Sequence, residues 1–133
     1  MNYFEPHLTP DELRAISAIG LAHMGDAVYE TLVRTWLCVH GKATGKELHR
    51  ATIALVCAQK QAELAQRVLP QLTEEELAVY KRGRNAKVHA MPRSATPAQY
   101  HAATGLECLM GWLYLQGDKE RAEQLFHAMM EEE

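Results

Sequence analysis

Two acids stand apart from the other charged residues of the 133-residue chain. Asp26 lies in Gly20-Leu21-Ala22-His23-Met24-Gly25-Asp26-Ala27-Val28-Tyr29-Glu30, early in a helical run from about Ser17 to His40. That run is apolar on most of its circumference. Leu21, Val28, Leu32 and Val39 form one stripe, and Met24, Tyr29, Val33, Trp36 and Leu37 fill much of the rest. A helix of this kind is expected at the buried centre of a bundle. An ionised aspartate there is costly unless it is paired, hydrogen-bonded or bound to a metal. His23, Asp26, Glu30 and Arg34 follow one another at i, i+3, i+7 and i+11, so they share a face. The second acid, Glu107, is the single ionisable carboxylate in Leu106-Glu107-Cys108-Leu109-Met110-Gly111-Trp112-Leu113-Tyr114-Leu115. Two buried helices, each with one isolated acid, can bring both carboxylates to one point. A few oxygen ligands, completed by water and a substrate phosphate, suit Mg²⁺. The competing reading needs no ion: Asp26 pairs with Arg34 or His23, and Glu107 caps a structural group.

A second constellation is Lys81-Arg82-Gly83-Arg84-Asn85-Ala86-Lys87. With Arg93 it places five cations in a window, Leu77 to Leu106, that contains no Asp or Glu. The window carries +5, which leaves −8 for the remainder of a chain whose net charge is −3. A local basic block in an acidic protein points to one anionic partner at one place. Arg fits phosphate through its planar fork and Lys adds point charge. Tyr80, Tyr100 and His101 flank the block and could stack on sugars or bases, although aromatic residues at helical spacing usually belong to the core. No pattern for sequence-specific reading of single strands is present.

Other chemistries find little support. Cys38, Cys57 and Cys108 form no CxxC pair and are expected as reduced core thiols. The seven histidines show no metal-ligand spacing. No Ser/His/Asp or Cys/His arrangement offers a nucleophile. No run is long and apolar enough to span a membrane, and the N-terminus lacks a basic-plus-apolar signal pattern, so a soluble cytoplasmic protein is expected.

The elements that must position these residues are well punctuated. Thr9-Pro10-Asp11-Glu12 reads as a capping box with Pro at the first helical position. The long central helix stops at Gly41. Thr44 to Glu47 opens a helix through Leu48, Ala51 and Leu55, and another runs from about Ala58 to Leu69, ending at Pro70. Thr73 to Glu76 starts a helix reaching about Gly83. Arg84 to Ala95 has weak apolar periodicity and reads as a loop. Thr96-Pro97-Ala98-Gln99 caps the helix that ends before Gly117. Asp118 caps a last amphipathic helix with Ala122, Leu125, Phe126 and Met129 inward, and the Glu131-Glu132-Glu133 tail reads as frayed. No alternation suggests strands. The expected architecture is all-α, one domain over residues 1–133 with about seven helices and no internal repeat.

These residues resemble the ribonuclease III family, specifically its short bacterial Mini-ribonuclease III branch. Gly25-Asp26-Ala27-Val28 is similar to the core of the family's signature helix, Leu106 to Gly111 to its second acidic motif, and Lys81 to Lys87 to the basic loop of the branch. Order and spacing agree from roughly Ile19 to Leu115, and the three motifs together are specific. The resemblance implies an all-α, homodimeric endonuclease that cuts double-stranded RNA with Mg²⁺, or Mn²⁺ in its place, leaving 5′-phosphomonoesters. In it Asp26 and Glu107 would be the catalytic, metal-holding acids. Mg²⁺ would activate a water and stabilise charge on the scissile phosphate. Lys81, Arg82, Arg84, Asn85 and Lys87 would bind RNA. His23 would pack beside the site, and Glu30 would pair with Arg34 or orient a water of the ion. Members of the branch are implicated in maturing the large-subunit (23S) ribosomal RNA, with a ribosomal protein on the substrate as a candidate accessory. The longer enzymes carry acids where this chain has Ile19, Ala22 and Thr104, and a double-stranded-RNA-binding domain after the point where this chain ends. Both departures fit the branch.

Two other functions stay open on the residues alone. One is a non-catalytic RNA-binding ribosome-assembly factor of the same fold, with the basic segment kept and the acids structural. The other is a helical bundle whose basic segment docks a protein.

Overall fold

The computed structural model describes residues 1–87, 91 and 93–130. His89 and Pro92, inside the expected loop, and the expected tail at 131–133 lie outside the described residues. The described residues fold into seven α-helices: α1 (Pro10–Arg14), α2 (Ala18–Val39), α3 (Gly45–Val56), α4 (Ala58–Val68), α5 (Glu74–Arg84), α6 (Pro97–Leu115) and α7 (Lys119–Met130). No strand occurs among the described residues. Local sequence sets most of these boundaries. Thr9, Thr44, Thr73 and Thr96 each accept a hydrogen bond from the backbone N–H three residues on, while Glu12, Glu47, Glu76 and Gln99 reach back to the cap. Each satisfies two otherwise orphaned donors and is worth about 1 kcal/mol. Asp118 caps α7 from one side only, accepting from the Arg121 N–H at 3.2 Å. Gly41 and Gly117, both with positive φ, end α2 and α6. α4 ends at Val68 rather than Leu69, because Pro70 turns Leu69–Gln71 into a single 3₁₀ turn.

α6 is the centre of the domain. It buries ten residues, from Ala102 to Leu113, and packs on α2, α5, α4 and α7. The main core joins Tyr29, Leu64, Leu109, Leu113, Leu125 and Phe126, with the Tyr29 and Phe126 rings edge to face at 6.2 Å. α2 behaves differently from the sequence expectation. Its buried residues, Leu21, Ala22, Gly25, Tyr29, Val33 and Leu37, form one stripe, and the opposite face, with Ala27, Thr31 and Cys38, is exposed; Ile19 at 42 % and Val39 at 75 % are exposed at the two ends of the helix. The stripe meets α6, and among the described residues no second layer covers the opposite face. Cys38 on that side is therefore exposed, as is Cys57 at the α3–α4 corner, and only Cys108 is a core thiol.

α7 is tied to the start of α5 by charge. Arg121 grips the buried Glu76 with two bonds, Nε to Oε2 at 2.8 Å and a guanidinium NH₂ to Oε1 at 2.9 Å, and donates a third to the Gln71 carbonyl. This hydrogen-bonded pairing holds the Glu76 carboxyl below its ordinary range.

Candidate active site

The two isolated acids meet where α2 crosses α6. Gly25 and Gly111 make the crossing close. A Cβ added at Gly25 would lie 1.6 Å from the Glu107 carbonyl oxygen, and one at Gly111 would lie 2.0 Å from the Leu21 carbonyl oxygen. Only hydrogen fits at either position. Backbones in such contact place the side chain after Gly25 against the side chain one turn before Gly111. These are Asp26 and Glu107.

Their environments differ. Asp26 is exposed, contrary to its expected burial, although it stands four residues after Ala22 and three before Tyr29 on the stripe that faces α6. Glu107 is half-buried, and its carboxyl is pushed up to about 8. Burial is the largest cause, the Asp26 charge the next, and a hydrogen bond from Gln61 works in the opposite direction. Among the described residues no Lys or Arg forms an ion pair with either acid. Arg34 is engaged by Glu30, four residues before it on the helix, at 2.5 Å. That leaves Asp26 without the Arg34 partner that the ion-free reading offered. Two adjacent carboxylates, one disfavoured as an anion by its surroundings, form a donor set that a divalent cation would complete. A divalent cation placed there would be held by carboxylate oxygens of Asp26 and Glu107.

The neighbours are ordered by the α3–α4 corner. Tyr29 Oη donates to the Leu55 carbonyl at 2.8 Å and Gln61 Nε2 to the Val56 carbonyl at 2.8 Å, which satisfies two acceptors at the end of α3. Gln61 Nε2 also reaches Glu107 Oε2 at 3.2 Å. Gln61 is not among the site residues expected from the sequence. The signal was present: it shares a helical face with Leu64, Ala65 and Val68, at i+3, i+4 and i+7, so a polar side chain stands at a core position. His23 is exposed one turn before Asp26, and Glu30 is turned to Arg34.

The basic block is helical for longer than expected. Lys81, Arg82 and Arg84 complete the last turn of α5, where cations also suit the helix dipole, and only Asn85 to Lys87 lie beyond it. Buried Gly83 sits against Cys108 and Gly105 of α6, pressing this turn onto the domain. Lys81, Arg82, Asn85 and Lys87 are exposed. Arg84 is half-buried, with its guanidinium 5.9 Å from the Tyr80 ring centre and its Nε donating to Asn85 at 3.2 Å. Tyr80 itself is buried in the core, so it cannot stack on a base. Tyr100 and His101 are half-buried.

Comparison with known proteins identifies the family. Residues 20–118 match the family model described as "Ribonuclease III domain". The chain is 46 % identical over 108 residues to the Mini-ribonuclease 3 of Symbiobacterium thermophilum, covering 81 % of this chain and 83 % of that one. It is 42 % identical over 118 residues to the Mini-ribonuclease 3 of Enterococcus faecalis, covering 87 % and 89 % respectively. A crystal structure of a protein from Fusobacterium nucleatum superposes with a TM-score of 0.78 at 29 % identity, over 86 % of this chain and 93 % of that one.

Proposed function

Since this chain belongs to the ribonuclease III family and is an endoribonuclease of that type, we propose that it cuts double-stranded RNA at the Asp26–Glu107 site with a divalent cation, Mg²⁺ or Mn²⁺. The observation that carries the site is the Gly25–Gly111 crossing, which brings two carboxylates together without a cation of the described chain beside them. A cation held there supplies Lewis-acid activation of water and neutralises charge on the scissile phosphate. The chain's own residues do the rest. Asp26, exposed at the edge of the α2–α6 crossing, is reachable by a duplex backbone. Glu107, on the central helix and half-buried, would hold the cation from the inner side. Lys81, Arg82, Arg84, Asn85 and Lys87 hold phosphates away from the cut, reading backbone shape rather than base identity.

Pairing with a second copy would double the small basic surface and match the approximate dyad of a duplex, and Val39, 75 % exposed at the far end of α2 from Asp26, offers apolar area for it. The substrate we assign, by analogy with the branch, is precursor large-subunit (23S) ribosomal RNA in the cytoplasm, with a ribosomal protein bound to it as accessory.

The test is cleavage of a long RNA duplex with Mg²⁺, with chelator, and with Asp26→Asn. Mg²⁺-dependent cutting that falls at least ~100-fold in the variant, on the scale of losing one electrostatic partner of the transition state, supports the reading. Binding of the duplex should survive the substitution. Salt-sensitive duplex binding with no cleavage under any condition would instead favour a non-catalytic RNA-binding factor.

A further inference from the structure

The α3–α4 corner holds a buried amide whose only outward reach is to one of the two acids. Gln61 is 2 % exposed. Its Nε2 makes two hydrogen bonds, 2.8 Å to the Val56 carbonyl and 3.2 Å to Glu107 Oε2. The Val56 carbonyl can only accept, so the orientation of the amide is decided: reversed, its oxygen would face that carbonyl oxygen. The Val56 carbonyl is itself immobile. It is the last residue of α3, and the adjacent Leu55 carbonyl is taken by Tyr29 from α2. One N–H of Gln61 is thus clamped by backbone, and the other is aimed at a single carboxylate oxygen.

That arrangement carries a cost, since Gln61 Oε1 is buried with no partner. A core position in phase with Leu64, Ala65 and Val68 would be filled more cheaply by an apolar side chain. The N–H groups are what a glutamine adds there. For Glu107 the effect is geometric. With Oε2 tied to Gln61, rotation of the carboxylate is restricted and Oε1 is left for a cation shared with Asp26. Outer partners of this kind commonly set the orientation of a carboxylate ligand and hence its affinity.

We infer that Gln61 is a positioning residue for the cation site: its Nε2 fixes the Glu107 carboxylate in the orientation that completes the site with Asp26. The inference rests on the Asp26–Glu107 reading above. It is tested on the full chain without RNA, by calorimetric titration of Mn²⁺ into the parent, Gln61→Met, Tyr29→Phe, Glu107→Gln and the Gln61→Met/Glu107→Gln double variant, each checked by thermal melting. Gln61→Met keeps length and removes the donors. Tyr29→Phe loosens the same corner without touching the Gln61–Glu107 bond. The expected result is a Kd for Mn²⁺ raised about 10- to 100-fold in Gln61→Met, unchanged in Tyr29→Phe, and no weaker in the double variant than in Glu107→Gln alone. In cleavage, the Mn²⁺ concentration for half-maximal rate should rise by the same factor in Gln61→Met, with the rate recovered at saturation. A folded Gln61→Met with the parent Kd would show the amide to be only a tie between α3 and α4. Equal weakening by Tyr29→Phe would assign the effect to the corner as a whole and also overturn the inference. If Gln61→Met does not fold, Gln61→Asn, whose amide stops one methylene short of Glu107, carries the same expectation. A parent that binds no Mn²⁺ overturns the site itself and this inference with it.

Discussion

Gly25 and Gly111 face each other across the α2–α6 crossing, each with a backbone carbonyl of the opposite helix where a Cβ would stand. The contact couples stability to the site, because the spacing that lets the helices pack also sets the distance between Asp26 and Glu107. Neither carbonyl can move without breaking its own helix. Gly25→Ala or Gly111→Ala should therefore destabilise the domain by ~3 kcal/mol or more, at or beyond the upper end of ordinary overpacking. Gly45→Ala is the contrast: nothing lies within 4 Å of its Cβ position, so the change should be neutral or slightly stabilising. Urea unfolding of the three variants checks this. A Gly25→Ala protein as stable as the parent would show that the crossing is looser than described.

The crossing also shows what the sequence makes legible. Capping boxes are signals within four residues, so Thr9, Thr44, Thr73 and Thr96 mark helix starts regardless of what packs on them. Burial is decided by tertiary neighbours. Val39 and Cys38 read as core because α2 is apolar nearly all round, yet no element among the described residues covers them. Asp26 was expected to be buried for the same reason, while its approach to Glu107 was legible from two lone acids on two apolar helices. Gln61 was hidden by its type, since one glutamine in a polar helix draws no notice until the phase of Leu64 and Val68 is followed. Arg84 alone of the last turn of α5 was expected in the loop, because apolar periodicity fades there; with Gly83 packed on α6, the helix runs one residue further.

Glu107 predicts a pH dependence of distinctive sign. Its folded value, about 8, lies above the ordinary 4.5, so between those values the folded protein holds a proton that the unfolded chain releases. The contribution of this group to stability is fully present below the ordinary carboxylate value and is lost as pH rises towards 8. Thermal melts across roughly pH 5 to 9 should show the parent losing stability relative to Glu107→Gln, which cannot titrate. A cation competes with that proton, so Mg²⁺ affinity in the parent should strengthen over the same rise in pH. Parallel melting curves for the two proteins would mean that Glu107 is ionised throughout.

The Arg121–Glu76 pair predicts a purely structural loss. Arg121→Met leaves the Glu76 carboxylate, with a side chain only 7 % exposed, buried without its cation. Breaking such a pair from one side costs about 3–5 kcal/mol. Because Glu76 is held below the ordinary carboxylate range, its pairing contributes above that range and is lost as pH falls through the folded value. The difference between parent and variant, measured by urea unfolding, should therefore narrow in acid. Cation binding at Asp26 and Glu107 should be unaffected wherever the variant remains folded.

The basic block separates RNA binding from chemistry. Lys81, Arg82 and Arg84 lie on one helical turn with Asn85 and Lys87 just beyond, and helix-end cations have a structural use of their own. If they hold phosphates, they release counterions, and duplex affinity falls steeply with salt. Arg82→Ala and Lys87→Ala, whose side chains are exposed, should each flatten the log–log salt slope by about one unit. Arg84→Ala should do the same and cost some stability besides, since its guanidinium packs on Tyr80 and its Nε is bonded to Asn85. The loss should be similar for duplexes of different sequence, because phosphates carry no base identity. Binding is measured over a salt series on an Asp26→Asn background, which prevents cutting. If all three variants keep the parent slope and affinity, this turn serves the helix dipole alone and the duplex enters by another face.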